Sequence, residues 1–85
     1  MRISFTKPFK RDYEGLPQNI RDQIDKQIVQ LMENPKHPSL HIKKMEGRPS
    51  IWEARITKGY RMTFQIDGDV FLLRRVGPHS VLKSP

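Results

Sequence analysis

The sequence predicts an α+β fold in which two N-terminal helices pack on one face of a small twisted antiparallel β-sheet. Three observations predict it. Apolar residues up to Met32 recur at helical spacing, those from Leu40 onward alternate in short runs, and glycine-containing turns separate the later runs. Connections that short force antiparallel neighbours, and helices followed by strands give a two-layer α+β domain. At 85 residues the chain is expected to form one domain spanning positions 1–85.

Ile3-Ser4-Phe5 alternates and predicts a first strand. Thr6 can cap a helix from Lys7 to about Gly15, with Phe9, Tyr13 and Leu16 on one side. Pro17 suits the first position of a second helix, in which Ile20, Ile24, Ile28, Leu31 and Met32 form the apolar stripe. Asn34-Pro35 ends it, because the residue before proline is pushed out of the α region. Strands are expected over Leu40–Met45, Ile51–Ile56, Tyr60–Ile66 and Val70–Val76, with Gly47-Arg48-Pro49-Ser50 as a loop.

Register follows from keeping charges out of the core. A three-residue loop Thr57-Lys58-Gly59, with Gly59 left-handed, sets Arg55 opposite Arg61, Ala54 opposite Met62, Glu53 opposite Thr63 and Trp52 opposite Phe64. Trp52, Ala54, Ile56, Tyr60, Met62 and Phe64 then share the face that the helices cover. An Asp67-Gly68 loop sets Phe64 opposite Phe71, Met62 opposite Leu73 and Arg61 opposite Arg74. The expectation is a row of three arginines, Arg55, Arg61 and Arg74, across the uncovered face. Like charges directly opposite destabilise a sheet, and a phosphodiester over the row would relieve them. Outward splaying, or pairing with Glu53 or an acidic partner, is the alternative.

Composition narrows the partners. The formal charge is +7, and residues 36–85 contribute +6 of it. A basic half joined to a near-neutral half is the footprint of a nucleic-acid binder or of a protein with an acidic partner. The absence of cysteine excludes disulfides, thiolate metal sites and a cysteine nucleophile. Scattered carboxylates offer no metal cluster, and no cofactor is expected. The apolar runs are too short for a membrane helix, and Met1-Arg2-Ile3-Ser4-Phe5 lacks a secretory stretch, so a cytoplasmic protein is expected.

His79, in Val76-Gly77-Pro78-His79, follows the last strand and can reach the arginine row, whereas His37 and His41 read as loop residues. An imidazole near neutrality is the natural proton donor or acceptor. RNA cleavage needs no external nucleophile, because the 2′-hydroxyl attacks the adjacent phosphate. Arg61 and Arg55 can supply positive charge, His79 the proton, and Glu53 or a lysine the base. Glu53 reads equally as the counter-ion of Arg55. Lys43, Lys44, Arg48 and Arg74 are candidate contacts to the RNA backbone.

Lys7-Pro8-Phe9-Lys10, Leu16-Pro17, Asn34-Pro35 with His37-Pro38-Ser39-Leu40, Trp52-Glu53-Ala54-Arg55-Ile56, Gly59-Tyr60-Arg61-Met62 and the closing Val76-Gly77-Pro78-His79 form an ordered set. That set resembles the RelE/ParE superfamily of type II toxins over nearly the whole chain. The resemblance implies the same two-helix sheet fold and a cognate antitoxin partner. RelE-type members cleave mRNA in the ribosomal A site without metal, using basic residues on the open sheet face, where Arg55 and Arg61 match. In YoeB-like members the position after the last strand is a histidine general acid, which His79 matches. Two departures stand out: Ser80-Val81-Leu82-Lys83-Ser84-Pro85 holds no tyrosine, and Glu53 stands where RelE has a second lysine. ParE-type relatives share the fold but act on DNA gyrase, and they generally lack the acid–base set. The resemblance therefore implies a ribosome-associated mRNA endoribonuclease, with a gyrase inhibitor or a non-catalytic nucleic-acid- or antitoxin-binding module as the alternatives.

Overall fold

A computed structural model describes residues 2–85. Strand β1 (Arg2–Phe5) is followed by helices α1 (Lys7–Glu14) and α2 (Gln18–Glu33), a short 3₁₀ turn (Pro38–Leu40), and strands β2 (Lys43–Lys44), β3 (Trp52–Thr57), β4 (Tyr60–Asp67) and β5 (Val70–Pro78). A C-terminal 3₁₀ helix (His79–Lys83) closes the fold. The sheet order is β1-β5-β4-β3-β2. All pairings are antiparallel except β1 with β5, which is parallel. A parallel neighbour needs a long crossover, and the helices supply it.

Thr6 caps α1 as its sequence predicts: its Oγ1 accepts from the Phe9 N–H at 3.2 Å and donates to the Arg74 carbonyl at 2.8 Å. Pro17 is the cap residue of α2 rather than its first helical residue, and Asn34 ends the helix. Ile24 and Leu31 are fully buried, while Met32 is 46% exposed and Gln27 takes a buried place instead. The core joins Phe9, Ile24, Leu31 and Leu40 to Ala54, Ile56, Met62, Phe64, Phe71, Leu73 and Val76. Trp52 is only partly buried at its margin.

Three strand expectations need correction. Leu40–Met45 is not one strand: Leu40 plugs the core from the 3₁₀ turn, His41 reverses the chain at φ +44°, and only Lys43–Lys44 pairs with β3. Between β3 and β4, the expected pairs from Trp52–Phe64 to Arg55–Arg61 are present, but Thr57 pairs with Tyr60. The loop is therefore Lys58-Gly59, and a bulge at Ile56 absorbs the extra residue. Gly59 is not left-handed; the glycines at positive φ are Gly47 and Gly68.

The third correction concerns β4 and β5. Their loop is Gly68-Asp69, with Gly68 at φ +60° in the first turn position, and Ile66 pairs with Phe71 and Phe64 with Leu73. The register then shifts at Arg74, so that Thr63 meets Arg75, Met62 meets Val76 and Arg61 meets Gly77. Leu73 and Val76 are both buried although three positions apart, which strict alternation forbids and a bulge permits.

Candidate nucleic-acid interface

Arg55 and Arg61 are direct neighbours across β3 and β4, so both lie on the face turned away from the α-helices. The row stops there. Opposite Arg61 stands Gly77, where a Cβ would lie 3.8 Å from Val81, so the C-terminal 3₁₀ helix folds back over this face. Arg74 is the extra residue of the bulge, lying between the Thr63–Arg75 and Phe64–Leu73 pairs, roughly 8 Å further along β4 than Arg61 at the usual strand rise. Its guanidinium is taken up by Gln65 Oε1 at 2.7 Å and the Pro85 carbonyl at 3.1 Å.

The Arg61 side chain is folded against the β3–β4 turn. Its Nη1 donates to the carbonyls of Thr57 at 2.7 Å, Tyr60 at 2.9 Å and Lys58 at 3.2 Å. One corner of the guanidinium is thus anchored, and its Nε–Nη2 edge has no partner among the described residues. That edge is the planar fork that fits two oxygens of a phosphate. Arg55 is held differently: its Nη1 donates to His41 Nε2 across a long 3.4 Å, and its Nε is buried without a partner among the described residues.

Beside the two arginines, Glu53 pairs with Lys43 in register, and the Lys43 ammonium lies 3.9 Å from the Glu53 carboxylate. The Glu53 side chain is 10% exposed and that of Lys43 is 70% exposed. His41, Lys43, Glu53, Arg55 and Arg61 line an open groove of about 530 Å³. Lys44 pairs with Trp52 and so falls on the opposite face. Arg48 lies on the exposed loop before β3, its Nη2 3.4 Å from the Lys83 carbonyl. His79 begins the C-terminal 3₁₀ helix, and its N–H donates to the Gly59 carbonyl at 3.0 Å. That bond brings it to the same turn that anchors Arg61, while its exposed ring makes no hydrogen bond with the described residues. The groove residue that sequence reasoning passed over is His41. Its signal was faint: a polar residue able to adopt a left-handed conformation after Pro38-Ser39-Leu40.

No group of acidic, histidine or cysteine side chains among the described residues can hold a metal ion. No described helix is long and apolar enough to cross a membrane.

This two-helix, five-strand arrangement is that of toxins from toxin–antitoxin systems. The RelB–RelE antitoxin–toxin complex from Methanococcus jannaschii superposes with a TM-score of 0.77 at 26% identity, covering 95% of each chain. The YoeB/ParE toxin from Agrobacterium tumefaciens superposes with a TM-score of 0.79 at 19% identity, over 93% of this chain and 99% of that one, and so shares the fold. In sequence, the chain is 32% identical over 79 residues to the toxin RelE3 of Methanocaldococcus jannaschii, covering 89% of this chain and 88% of that protein. It is 23% identical over 65 residues to the mRNA interferase toxin RelE of Escherichia coli, covering 75% of this chain and 65% of that protein. Residues 3–82 match the family described as the ParE toxin of the type II toxin–antitoxin system parDE. The chain belongs to this family, within the RelE/ParE superfamily of type II toxins.

Proposed function

We propose that the protein is a metal-independent endoribonuclease that cleaves mRNA on the ribosome and is held inactive by a cognate antitoxin. The observation that carries this reading is the Arg55–Arg61 pair, set directly opposite on the uncovered face, with the outer edge of Arg61 free for phosphate. The relative named as an mRNA interferase supports the reaction class, and the antitoxin–toxin complex among the structural neighbours supports the partner.

In the proposed reaction the 2′-hydroxyl attacks the neighbouring phosphorus and the bond to the 5′ oxygen breaks, leaving a 2′,3′-cyclic phosphate. Arg61 and Arg55 neutralise the charge that builds on the phosphorane oxygens. His79, whose N–H is tied to Gly59 in the turn that anchors Arg61, protonates the leaving 5′ oxygen. Glu53 or Lys43 takes the proton from the 2′-hydroxyl, and Lys43 also steadies the backbone.

The match to the ParE family favours a second reading, inhibition of DNA gyrase. Inducible expression of wild type and His79→Ala, with primer extension on an abundant message, separates the two. Growth arrest with discrete in-frame cuts that vanish in His79→Ala is the expected result. Arrest with DNA damage and intact message would transfer the protein to the gyrase reading, and cuts that persist in the variant would remove His79 as the acid.

A further inference from the structure

His41 and Arg55 are shared by two depressions. One is the groove with Lys43, Glu53 and Arg61; the other, of about 500 Å³, lies between α2 and the end of β3 and is lined by Gln23, Lys26, His41, Arg55 and Lys58. We infer that this second depression is a phosphate subsite for a nucleotide flanking the scissile one, so that a single strand of RNA crosses from one groove to the other over the His41–Arg55 wall. The inference rests on the RNA-cleaving reading above and adds the path of the substrate to it.

Four features carry it. The second depression holds Lys26, Arg55 and Lys58 and no carboxylate in its lining, so an incoming anion meets uncompensated positive charge. Its walls are fixed: the buried Gln27 amide donates to the Ser39 carbonyl at 3.2 Å and to the Arg55 carbonyl at 2.9 Å, locking α2 to both sides of the depression. His41 is held over Arg55 in a left-handed conformation at φ +44°, strained for a residue with a side chain and of a kind that concentrates at binding sites. Finally, Arg55 Nε is a buried donor with no partner among the described residues, and a turn of the guanidinium toward an anion would satisfy it. Two grooves meeting at one guanidinium suit a chain of evenly spaced phosphates better than a single anion.

The test is a titration of isotope-labelled protein, followed by amide NMR, with non-cleavable 2′-O-methyl oligonucleotides. A dinucleotide carrying one bridging phosphate is expected to shift the Arg55 and Arg61 amides alone. A pentanucleotide is expected to shift Lys26 and Lys58 as well and to bind more tightly. In the Lys26→Ala/Lys58→Ala double variant that length advantage disappears, and the slope of log affinity against log salt falls by about 0.7 for the lost phosphate contact. A double variant that keeps the length advantage and the slope overturns the subsite while leaving the Arg61 groove intact. So does a hexa-aspartate peptide that shifts Lys26 and Lys58 as strongly as RNA does, since the depression would then be a carboxylate site. No RNA-induced shift in either groove overturns both the subsite and the RNA reading beneath it.

Discussion

On the helix-covered face of the sheet, Met62, Phe64, Leu73 and Val76 are all but removed from solvent among other apolar side chains. On the opposite face, Thr63 is buried as completely and Glu53 is 8% exposed, yet both are polar. Three buried side-chain polar atoms among the described residues lack partners, and two of them, Arg55 Nε and Thr63 Oγ1, lie on that opposite face. The sheet face under the helices thus buries apolar groups, with the buried Gln27 amide hydrogen-bonded, whereas the other face keeps polar groups where burial is unfavourable. A surface that forgoes stability in this way is expected where a ligand supplies the missing contacts.

The largest effect should come from the helix face. Phe64 packs edge-on against Phe71, with ring centroids 5.6 Å apart, and Phe64→Ala is expected to cost about 3–5 kcal/mol in denaturant unfolding. Trp52→Ala, at the margin of the same face, should cost clearly less; equal costs would mean that the core is centred one strand away from β4.

Asp12 links α1 to the exposed edge of β5. Its Oδ2 accepts from Arg75 Nε at 2.6 Å and from the Val76 N–H at 3.2 Å, and its Oδ1 accepts from Arg75 Nη2 at 3.2 Å. Asp12→Ala strands both donors and should destabilise by about 1–3 kcal/mol. A loss below a few tenths would show that water replaces the carboxylate without cost.

Thr63→Val sharpens the contrast between the faces. Replacing an unpartnered buried hydroxyl by a methyl of the same shape should leave stability unchanged or raise it by up to about 1 kcal/mol. A clear loss would reveal a partner for Oγ1 and weaken the view that this face holds unmet polar groups.

The smallest effect is a dependence on pH in the helical layer. Tyr13 donates to Asp25 at 2.8 Å, and that hydrogen bond, with lesser help from burial and the charge of Asp25, holds its phenol above the ordinary value of 10.0. A raised folded-state value stabilises the protonated form, so the contribution is complete below about pH 10 and fades as pH rises through the folded value. The stability difference between wild type and Tyr13→Phe should shrink over that alkaline range; a constant difference would mean that packing alone sets it.

The helices were legible because Thr6, Asn34-Pro35 and the isoleucine stripe are local signals. The Arg55–Arg61 pairing was legible as well, since keeping arginines out of the core fixes the register even though the loop is one residue shorter and a bulge makes up the difference. Arg74 was misplaced because strict alternation admits no bulge. The signal lay in Leu73-Arg74-Arg75-Val76, where two charges stand between two core residues and no alternating strand can bury both ends. His41 escaped notice because its role comes from a left-handed turn and a contact with Arg55, neither of which the neighbouring sequence specifies.

The central claim, that the uncovered face carries the chemistry, is tested most directly with purified Arg61→Ala. Its thermal unfolding and its single-turnover cleavage of ribosome-bound mRNA would be measured beside wild type. The account predicts a midpoint within a few degrees of wild type, with cleavage reduced about 100-fold or more. A folded variant that cleaves at the wild-type rate would contradict it.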